Sequence, residues 1–215
     1  MFTHIDSLLY PNRCEVIELT SQRFIYTIFK NGQTSLRNQA KRNKSRILFN
    51  EQIKKCERIE IFLREPKGRF LSGVNTYISY LIRDNPTLDA DTIKFFILNY
   101  FCLNRHYLPQ FFWLAHLSSF SNNSCILQLQ TIDDIKTATM LRFNDPTPNY
   151  LTEEFIETLF NNITINDFLK IDEYIYQLAP ADTTWEEIKL KVKCEFASIW
   201  KNNITRSLRI ADVLS

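Results

Sequence analysis

Two short segments hold the residues whose types and spacing could bind a phosphate-like anion. They are "FKNGQTSL" (29–36) and "LREPKGRFLSG" (63–73). The first supplies a cation, a tight turn and two hydroxyls ahead of a helix-compatible stretch, namely Lys30, Asn31, Gly32, Thr34 and Ser35. Backbone N–H groups at such a turn and at a helix N-terminus attract anions. The segment therefore indicates a phosphate site, while an ordinary strand–helix turn with a capping Ser or Thr fits the same residues.

The second segment adds two guanidinium groups and another hydroxyl. Arg64 ends an apolar run, Arg69 stands just before a helical pattern, and Ser72 falls in the first turn of that pattern. Ligands of α/β folds bind at the carboxyl ends of the strands, so these groups could hold a second phosphate. The alternative is that both arginines pair with Glu65 or with helix carbonyls.

Glycine is confined to these two segments. The chain has three glycines, Gly32, Gly68 and Gly73, whereas average usage would give about fifteen. We expect each to stand where a side chain is not tolerated, because of a positive φ or a close approach of the backbone to a ligand. Neither segment is a Walker A loop, because the pattern G-x-x-x-x-G-K-[ST] does not occur in the sequence.

The elements that must position these residues alternate between strands and helices. Short β-branched and aromatic runs predict strands over 24–29, 59–63 and 125–131. Apolar residues at helical spacing predict a helix over 70–82. Strand, loop and helix thus occur twice in succession, which predicts an α/β fold with a P-loop-like parallel sheet flanked by helices.

Capping residues predict that the C-terminal third is mostly helical. The predicted helix starts are Asp89, Thr152, Thr164 and Thr184. Thr164 and Thr184 each have an acidic residue three positions on, as in a capping box. A short helix is also predicted over 132–141. Because the chain has no internal repeat and no low-complexity linker, we expect a single domain over residues 1–215.

Composition and charge describe a globular chain with one basic region. The formal net charge is +2, but residues 37–58 hold eight Lys or Arg against two Glu, whereas 150–187 lean acidic. The basic region is either a solvated helix face or a rim that attracts an anionic ligand. Because we find neither a secretory signal nor a run of about 18 apolar residues, we expect no membrane partner and a cytoplasmic location.

The cysteines and histidines indicate neither a disulfide framework nor a metal site. The five cysteines are scattered without a C-x-x-C pair, which favours free, mostly buried thiols in a reducing compartment. His4, His106 and His116 have no metal-ligand spacing with Cys or carboxylates, so we expect no metal.

Together the two segments resemble the donor-binding motifs of sulfotransferases that use 3′-phosphoadenosine 5′-phosphosulfate (PAPS). "FIYTIFKNGQTSL" is similar to their 5′-phosphosulfate loop, a strand ending in Lys-x-Gly-x-Thr-Ser. "IEIFLREPKGRFLSG" is similar to their 3′-phosphate motif, a strand followed by Arg-x-Pro-x-x-Arg-Phe-x-Ser. "NRHYLPQFFWL" (104–114) resembles the His-x-x-Pro-Gln segment of the carbohydrate sulfotransferase branch. The resemblance brackets residues 24–114.

The resemblance implies transfer of a sulfuryl group from PAPS to a hydroxyl acceptor, with a saccharide as the expected acceptor and adenosine 3′,5′-bisphosphate as the product. Lys30 would contact the 5′-phosphate and the bridging oxygen. Arg64 and Ser72 would hold the 3′-phosphate, with Arg69 either assisting or structural. The residues implied in donor binding are Lys30, Asn31, Gly32, Gln33, Thr34, Ser35, Arg64, Arg69 and Ser72.

An acceptor hydroxyl also needs a general base. His106 is the first choice, because imidazole titrates near neutrality and because this histidine lies in the third matched segment. A histidine that orders the fold or only contacts substrate fits the same position. Glu51 and Glu57 are second choices, since some branches of the family carry the base between the two loops. The sequence departs from the family at Gln33, where Gly, Cys or Thr is usual, and at Glu65, where Asn or Asp is common.

Two other interpretations remain open. A nucleotide kinase-like phosphotransferase could use the same kind of loop, but the Walker lysine spacing and an evident magnesium carboxylate are missing from the sequence. A nucleic-acid-binding module could use the basic segment 37–58, which has Phe49 as its one aromatic residue. We expect no nucleic-acid partner, and the identity of the acceptor and the oligomeric state stay open.

Overall fold

A six-stranded sheet forms the centre of the structure. The structure is a computed structural model that describes residues 14–20, 22–28, 30–99, 104–132 and 149–204. The strands are β1 (Glu15–Thr20), β2 (Arg23–Tyr26), β3 (Arg46–Phe49), β4 (Arg58–Leu63), β5 (Ile126–Thr131) and β6 (Ala181–Thr183). Their order across the sheet is β3-β1-β2-β4-β5-β6. The two strands that lead into the predicted loops, β2 and β4, are therefore direct neighbours.

The sheet is mixed, with a parallel centre and antiparallel edges. β4 pairs in parallel with both β2 and β5. β1 runs antiparallel to β2 and β3, and β6 runs antiparallel to β5. The α/β class is confirmed, but the prediction of a parallel sheet is wrong for the outer strands. β1 and β2, for example, are separated by too few residues for the crossover that parallel neighbours need. The P-loop-like arrangement stays a prediction.

Helices cover both faces of this sheet. They are α1 (Gln33–Arg42), α2 (Pro66–Asp84), α3 (Ala90–Asn99), α4 (Gln110–Ser118), α5 (Glu153–Asn161), α6 (Ile163–Gln177), α7 (Trp185–Glu195) and α8 (Ala197–Ile199). A 3₁₀ helix (Asn50–Lys55) precedes β4, and one π-helical turn (Trp200–Ile204) follows α8. α1 packs on one face through Leu36, over Ile25 and Phe62. The next residue on β2, Tyr26, points to the other face, where α2, α4 and α6 close the larger core.

Three of the predicted helix starts are confirmed. Asp89, Thr152 and Thr184 each accept a hydrogen bond from the backbone N–H three residues further on. Thr184 also completes the predicted capping box with Glu187. Side-chain oxygens at these positions satisfy N–H groups that the helix itself cannot.

The fourth predicted start, Thr164, is wrong. α6 begins at Ile163, and the side chain of Asn162 accepts from Ile165 N at 3.0 Å, so the cap lies two residues earlier. The helix predicted from position 70 likewise begins earlier, at Pro66. The short helix predicted over 132–141 lies outside the described residues except for its first position.

The four cysteines within the described residues are free thiols. Cys14, Cys56 and Cys125 are buried and Cys194 is exposed, while Cys102 lies outside the described residues. Burial raises the pKa of Cys14 and Cys125 to about 12 and that of Cys56 to about 11. These three thiols are protonated at neutral pH, which makes them poor nucleophiles.

Candidate functional site

The first loop joins β2 to α1 and ends in a helix N-terminus without a side-chain cap. Lys30 and Gly32 have positive φ values of 68° and 81°, so the chain turns sharply here. Gly32 is the N-cap of α1, no side chain caps the helix, and its first turn holds no acidic residue. The positive end of the helix dipole therefore favours an anion supplied from outside the chain.

Asn31 holds this loop from inside the protein. Its side chain is buried, and Nδ2 donates to the carbonyl oxygen of Phe62 in β4 and to Oε1 of Gln110, both at 2.7 Å. Asn31 is one of the residues implied in donor binding. In the structure its side chain fixes the loop to the neighbouring strand and to α4.

The first turn of α1 carries the other predicted donor contacts. Nε2 of Gln33 donates to Oγ1 of Thr27 at 3.3 Å, back across the loop. Thr34 is exposed and Ser35 is half-buried.

The second loop joins β4 to α2, and its carboxylate caps that helix. Glu65 accepts hydrogen bonds from Lys67 N at 2.8 Å and from Gly68 N at 2.6 Å, and Pro66 takes the first helical position. The residue that departs from the family pattern therefore has a clear local role. Because its carboxylate holds these amides, an anion at this loop would have to be bound by side chains.

Arg64 links the second loop to the first. One of its terminal nitrogens donates to the carbonyl oxygen of Lys30 at 3.2 Å. Because β2 and β4 are parallel neighbours, both loops leave the same edge of the sheet. Ser72, the seventh residue of α2, is half-buried, and its carbonyl accepts from the Thr76 hydroxyl at 2.9 Å. The structure thus gathers the predicted cations at one edge, with Ser72 on the adjoining helix.

Arg69 lies deep beside this edge with unsatisfied donors. It is 1 % exposed, and its Nε and one terminal nitrogen, Nη2, have no hydrogen-bond partner among the described residues. Burial lowers the pKa of the guanidinium to about 10; the carboxylate of Asp172 opposes this shift and Arg64 adds to it. The group remains charged at neutral pH, and buried unsatisfied donors are costly unless a ligand or water completes them.

Lys30 completes a group of three cations. Its Nζ donates to the hydroxyl of Thr76 in α2 at 2.6 Å. Burial lowers the pKa of Lys30, and the charges of Arg64 and Arg69 lower it further. Like charges held this close raise each other's electrostatic energy, so an anion placed among them would relieve the repulsion.

His106 is buried near Lys30, one of these cations. Its Nδ1 and its backbone N–H both lie 2.9 Å from Oδ1 of Asn104, an acceptor, so Nδ1 carries the proton and Nε2 the lone pair. Burial lowers the pKa of His106 to about 3, and the charges of Arg105 and Lys30 contribute to this shift. The imidazole is therefore neutral at neutral pH, which is the form that can accept a proton.

Gly73 is needed because the turn that carries His106 lies directly on α2. A Cβ atom at Gly73 would overlap the carbonyl oxygen of His106 and would lie 2.7 Å from its carbonyl carbon and 3.0 Å from the Cα of Tyr107. The rings of Tyr77 and Tyr80, further along α2, lie 6.5 and 5.3 Å from the imidazole. The prediction of a close approach at Gly73 is correct in kind, but the neighbour is the protein's own backbone instead of a ligand.

The two carboxylates considered as alternative bases stand apart from this group. Glu57 precedes the first residue of β4, at the sheet edge opposite the loops. Glu51 is exposed in the 3₁₀ helix and pairs with Lys54 at 2.5 Å. Of the three candidate bases, His106 is the one whose neighbours include a predicted donor-binding cation.

The basic segment 37–58 is spread over α1, β3, the 3₁₀ helix and the first residue of β4. Arg37 forms an ion pair with Glu15, and Arg58 forms one with Asp182 at 2.9 Å. Lys54 is likewise paired with Glu51. Part of the segment's charge is therefore neutralised at the surface.

Sequence reasoning missed two buried residues that hold the site together. Gln110 is fully buried at the start of α4, and Asp172 in α6 accepts from the backbone N–H groups of Gln110 and Phe111 at 2.6 and 2.9 Å. Burial raises the pKa of Asp172 to about 6, with Arg69 the strongest opposing influence. Gln110 stood in the third matched segment and could have been singled out there. Asp172 had no signal beyond being an acid in an apolar helix.

Neither a membrane span nor a metal cluster is found among the described residues. None of their helices combines the length and apolar character that crossing a bilayer requires. No three or more of their His, Cys, Asp or Glu side chains are grouped as a metal site would need.

Comparisons of the chain with known protein families, with curated proteins and with solved structures found no match in any of the three.

Proposed function

We propose that this protein is a sulfotransferase that transfers a sulfuryl group from PAPS to a hydroxyl of a saccharide. The observation that carries the proposal is the grouping of Lys30, Arg64 and Arg69 where two adjacent parallel strands end. Two motifs that are far apart in the sequence thus supply one cationic site. The interpretation of that site as a PAPS site depends on the resemblance of the two motifs to those of sulfotransferases.

The residues of the two loops would bind opposite ends of a bisphosphorylated nucleotide. The uncapped start of α1 and Lys30 would hold the 5′-phosphosulfate, since amides and a cation there face no acidic side chain of the first turn. Arg64, Arg69 and Ser72 would hold the 3′-phosphate through side chains. The buried guanidinium group of Arg69 suits a dianion, because charge-assisted hydrogen bonds gain strength away from water.

Lys30 and His106 would act on the reacting atoms. The acceptor oxygen forms a bond to sulfur while the bond from sulfur to the bridging oxygen breaks, and Lys30 would neutralise the charge that develops on that oxygen. His106 would take the acceptor's proton at Nε2. Burial is the main cause of the low pKa of His106, with the charges of Arg105 and Lys30 adding to it. A negative donor would counteract the contribution of Lys30 and so would make the imidazole a stronger base.

Thermal unfolding with adenosine 3′,5′-bisphosphate tests donor binding. At a concentration of about 100 times its dissociation constant the ligand should add about 2.7 kcal/mol to the free energy of unfolding. ATP, which lacks a 3′-phosphate, should stabilise the protein much less. The absence of a shift with millimolar bisphosphate would refute the proposal. A larger shift with ATP and magnesium would favour a phosphotransferase instead, and salt-sensitive oligonucleotide binding alone would favour a nucleic-acid module.

Two substitutions test the assignment of the donor residues. Lys30→Ala should lower the rate of transfer from labelled PAPS by about 100-fold or more, because charge stabilisation at the leaving oxygen is lost. Arg64→Ala should mainly raise the dissociation constant of the bisphosphate, by about tenfold or more. The matched controls are Lys41→Ala and Arg42→Ala, exposed cations at the far end of α1, which should leave both values unchanged. Full activity in both site variants would show that the site is misassigned.

A further inference from the structure

Gln110 touches both loops at once. Its Oε1 accepts from Nδ2 of Asn31 at 2.7 Å and from the backbone N–H of Arg64 at 3.0 Å. Its Nε2 donates to the carbonyl oxygen of Arg64 at 3.0 Å. One buried amide therefore closes three hydrogen bonds that join the residue after β4 to the turn after β2.

The position of Gln110 is fixed in turn by Asp172. Both carboxylate oxygens of this residue accept backbone N–H groups at the start of α4, including that of Gln110 itself. Asp172 is 1 % exposed, and the charged side chains that influence it are Arg69 in α2 and Glu173 in its own helix. A carboxylate at a helix N-terminus is favourable electrostatically, and here it holds α4, the helix that carries Gln110.

We propose that Gln110 is a positioning residue that sets the distance between the two anion-binding loops, and that Asp172 holds it in place. The inference rests on the proposed function in taking both loops as parts of one donor site. A ligand with phosphates at its two ends needs both loops at a fixed separation, and preorganisation of that separation saves ordering entropy on binding. The side chain of Gln110 bonds to Asn31 and to the backbone of Arg64, so it would act on the ligand through these two residues.

The first test needs no ligand. Hydrogen exchange of backbone amides should become about tenfold faster in both loops, residues 30–36 and 64–68, when Gln110→Met removes the bonds at nearly constant volume. Asn31→Ala, which removes the bonds of the first loop to Gln110 and to the Phe62 carbonyl, should also speed exchange in the second loop. Val192→Ala, a buried residue of α7, is the control for a general loss of stability. If hydrogen exchange in the second loop is unchanged in Asn31→Ala, the coupling of the two loops through Gln110 is refuted.

The second test measures affinity for adenosine 3′,5′-bisphosphate. Gln110→Met should raise its dissociation constant about tenfold, whereas Val192→Ala should not change it. If Gln110→Met does not fold, Gln110→Asn is measured in the same two ways, since its amide is one methylene group too short to reach both loops. If a variant shows faster hydrogen exchange in both loops but an unchanged dissociation constant for the bisphosphate, the positioning role is overturned. Failure of the wild-type protein to bind the bisphosphate would refute the proposed function, while the exchange data would still decide whether Gln110 couples the loops.

Discussion

The two loops at the carboxyl ends of β2 and β4 are built differently, although both lead from a strand into a helix. The first ends in Gly32 with a positive φ of 81°, and α1 has no side-chain cap. The second ends in Glu65, whose carboxylate already occupies the first amides of α2. An anion at the first loop would meet backbone and helix dipole, whereas an anion at the second would meet guanidinium groups.

The glycines show the same contrast. Gly32 permits a left-handed turn, while Gly68 and Gly73 lie inside α2. Gly73 makes room for the carbonyl of His106, and Gly68 faces only the end of the Glu65 side chain. Glycine therefore serves conformation at Gly32 and helix packing at Gly73, whereas, contrary to the prediction, the space at Gly68 does not require glycine. The following predictions test that difference, from the largest expected effect to the smallest.

Gly73→Ala should destabilise the protein most, by about 3 kcal/mol, because the new methyl group overlaps backbone atoms that cannot move without separating α2 from the His106 turn. Urea unfolding would measure this. Gly68→Ala is the matched control: its Cβ would meet only a flexible carboxylate oxygen at 2.8 Å, so the helix propensity of alanine should roughly offset the contact. Equal losses in the two variants would contradict the packing role of Gly73.

His106→Gln should reduce the acid sensitivity of the fold. The pKa of His106 is lowered from 6.5 to about 3, so between these pH values the unfolded chain binds more protons than the folded protein. The free energy of unfolding therefore decreases as the pH is lowered. The wild type should lose about 2 kcal/mol more than the variant between about pH 7 and pH 4.5. Unfolding free energies at several pH values would measure the difference.

Asp172→Asn is the control of opposite sign. The pKa of Asp172 is raised from 3.8 to about 6, so in the wild type this group gains a proton on folding and offsets part of the acid loss. Asp172→Asn should therefore lose stability more steeply than the wild type as the pH is lowered. Parallel pH profiles for the wild type and both variants would show that neither group titrates as inferred.

Gly32→Ala should cost about 1 to 2 kcal/mol, because alanine is strained at a φ of 81°. Gly32→Asn should cost less, since asparagine tolerates the left-handed region. Chemical denaturation of the two variants would compare them. If alanine is tolerated as well as asparagine, the left-handed turn does not form as described.

Glu65→Ala should cost about 1 kcal/mol of stability, the usual effect of losing a cap. Thr34→Ala, in the first turn of the uncapped helix, should change stability by less than about 0.5 kcal/mol. Thermal unfolding of both variants is sufficient. A larger effect at Thr34 would reverse the comparison between the two helix starts.

Sequence patterns predicted the elements whose signals are local. β2, β4, β5 and α2 follow from residue type and periodicity, and the caps at Asp89, Thr152 and Thr184 follow from side-chain chemistry. β1 was missed although it has six residues, and β3 and β6, with four and three residues, were missed as well. Such short strands are specified by the neighbours with which they pair, as in the contacts of β3 with β1.

The candidate site was predicted only in part for a similar reason. Lys30, Arg64 and Arg69 were identified from their motifs, and the structure brings them together. The sequence could not show that Asn31 faces inward, because its partner Gln110 lies far along the chain. The role of Asp172 depends on α6 packing against the start of α4, a tertiary contact with no local pattern.

The hydrogen bonds of Gln110 and Asp172 also bear on how the protein folds. They join residues 79 and 62 positions apart in the chain, so each closes a long loop at an entropy cost, and we expect them to form after the folding transition state. Interactions formed after the folding transition state slow unfolding when they are strengthened and leave the folding rate nearly unchanged. A ligand that bridges the two loops would therefore lengthen the lifetime of the folded state and give kinetic protection against proteolysis.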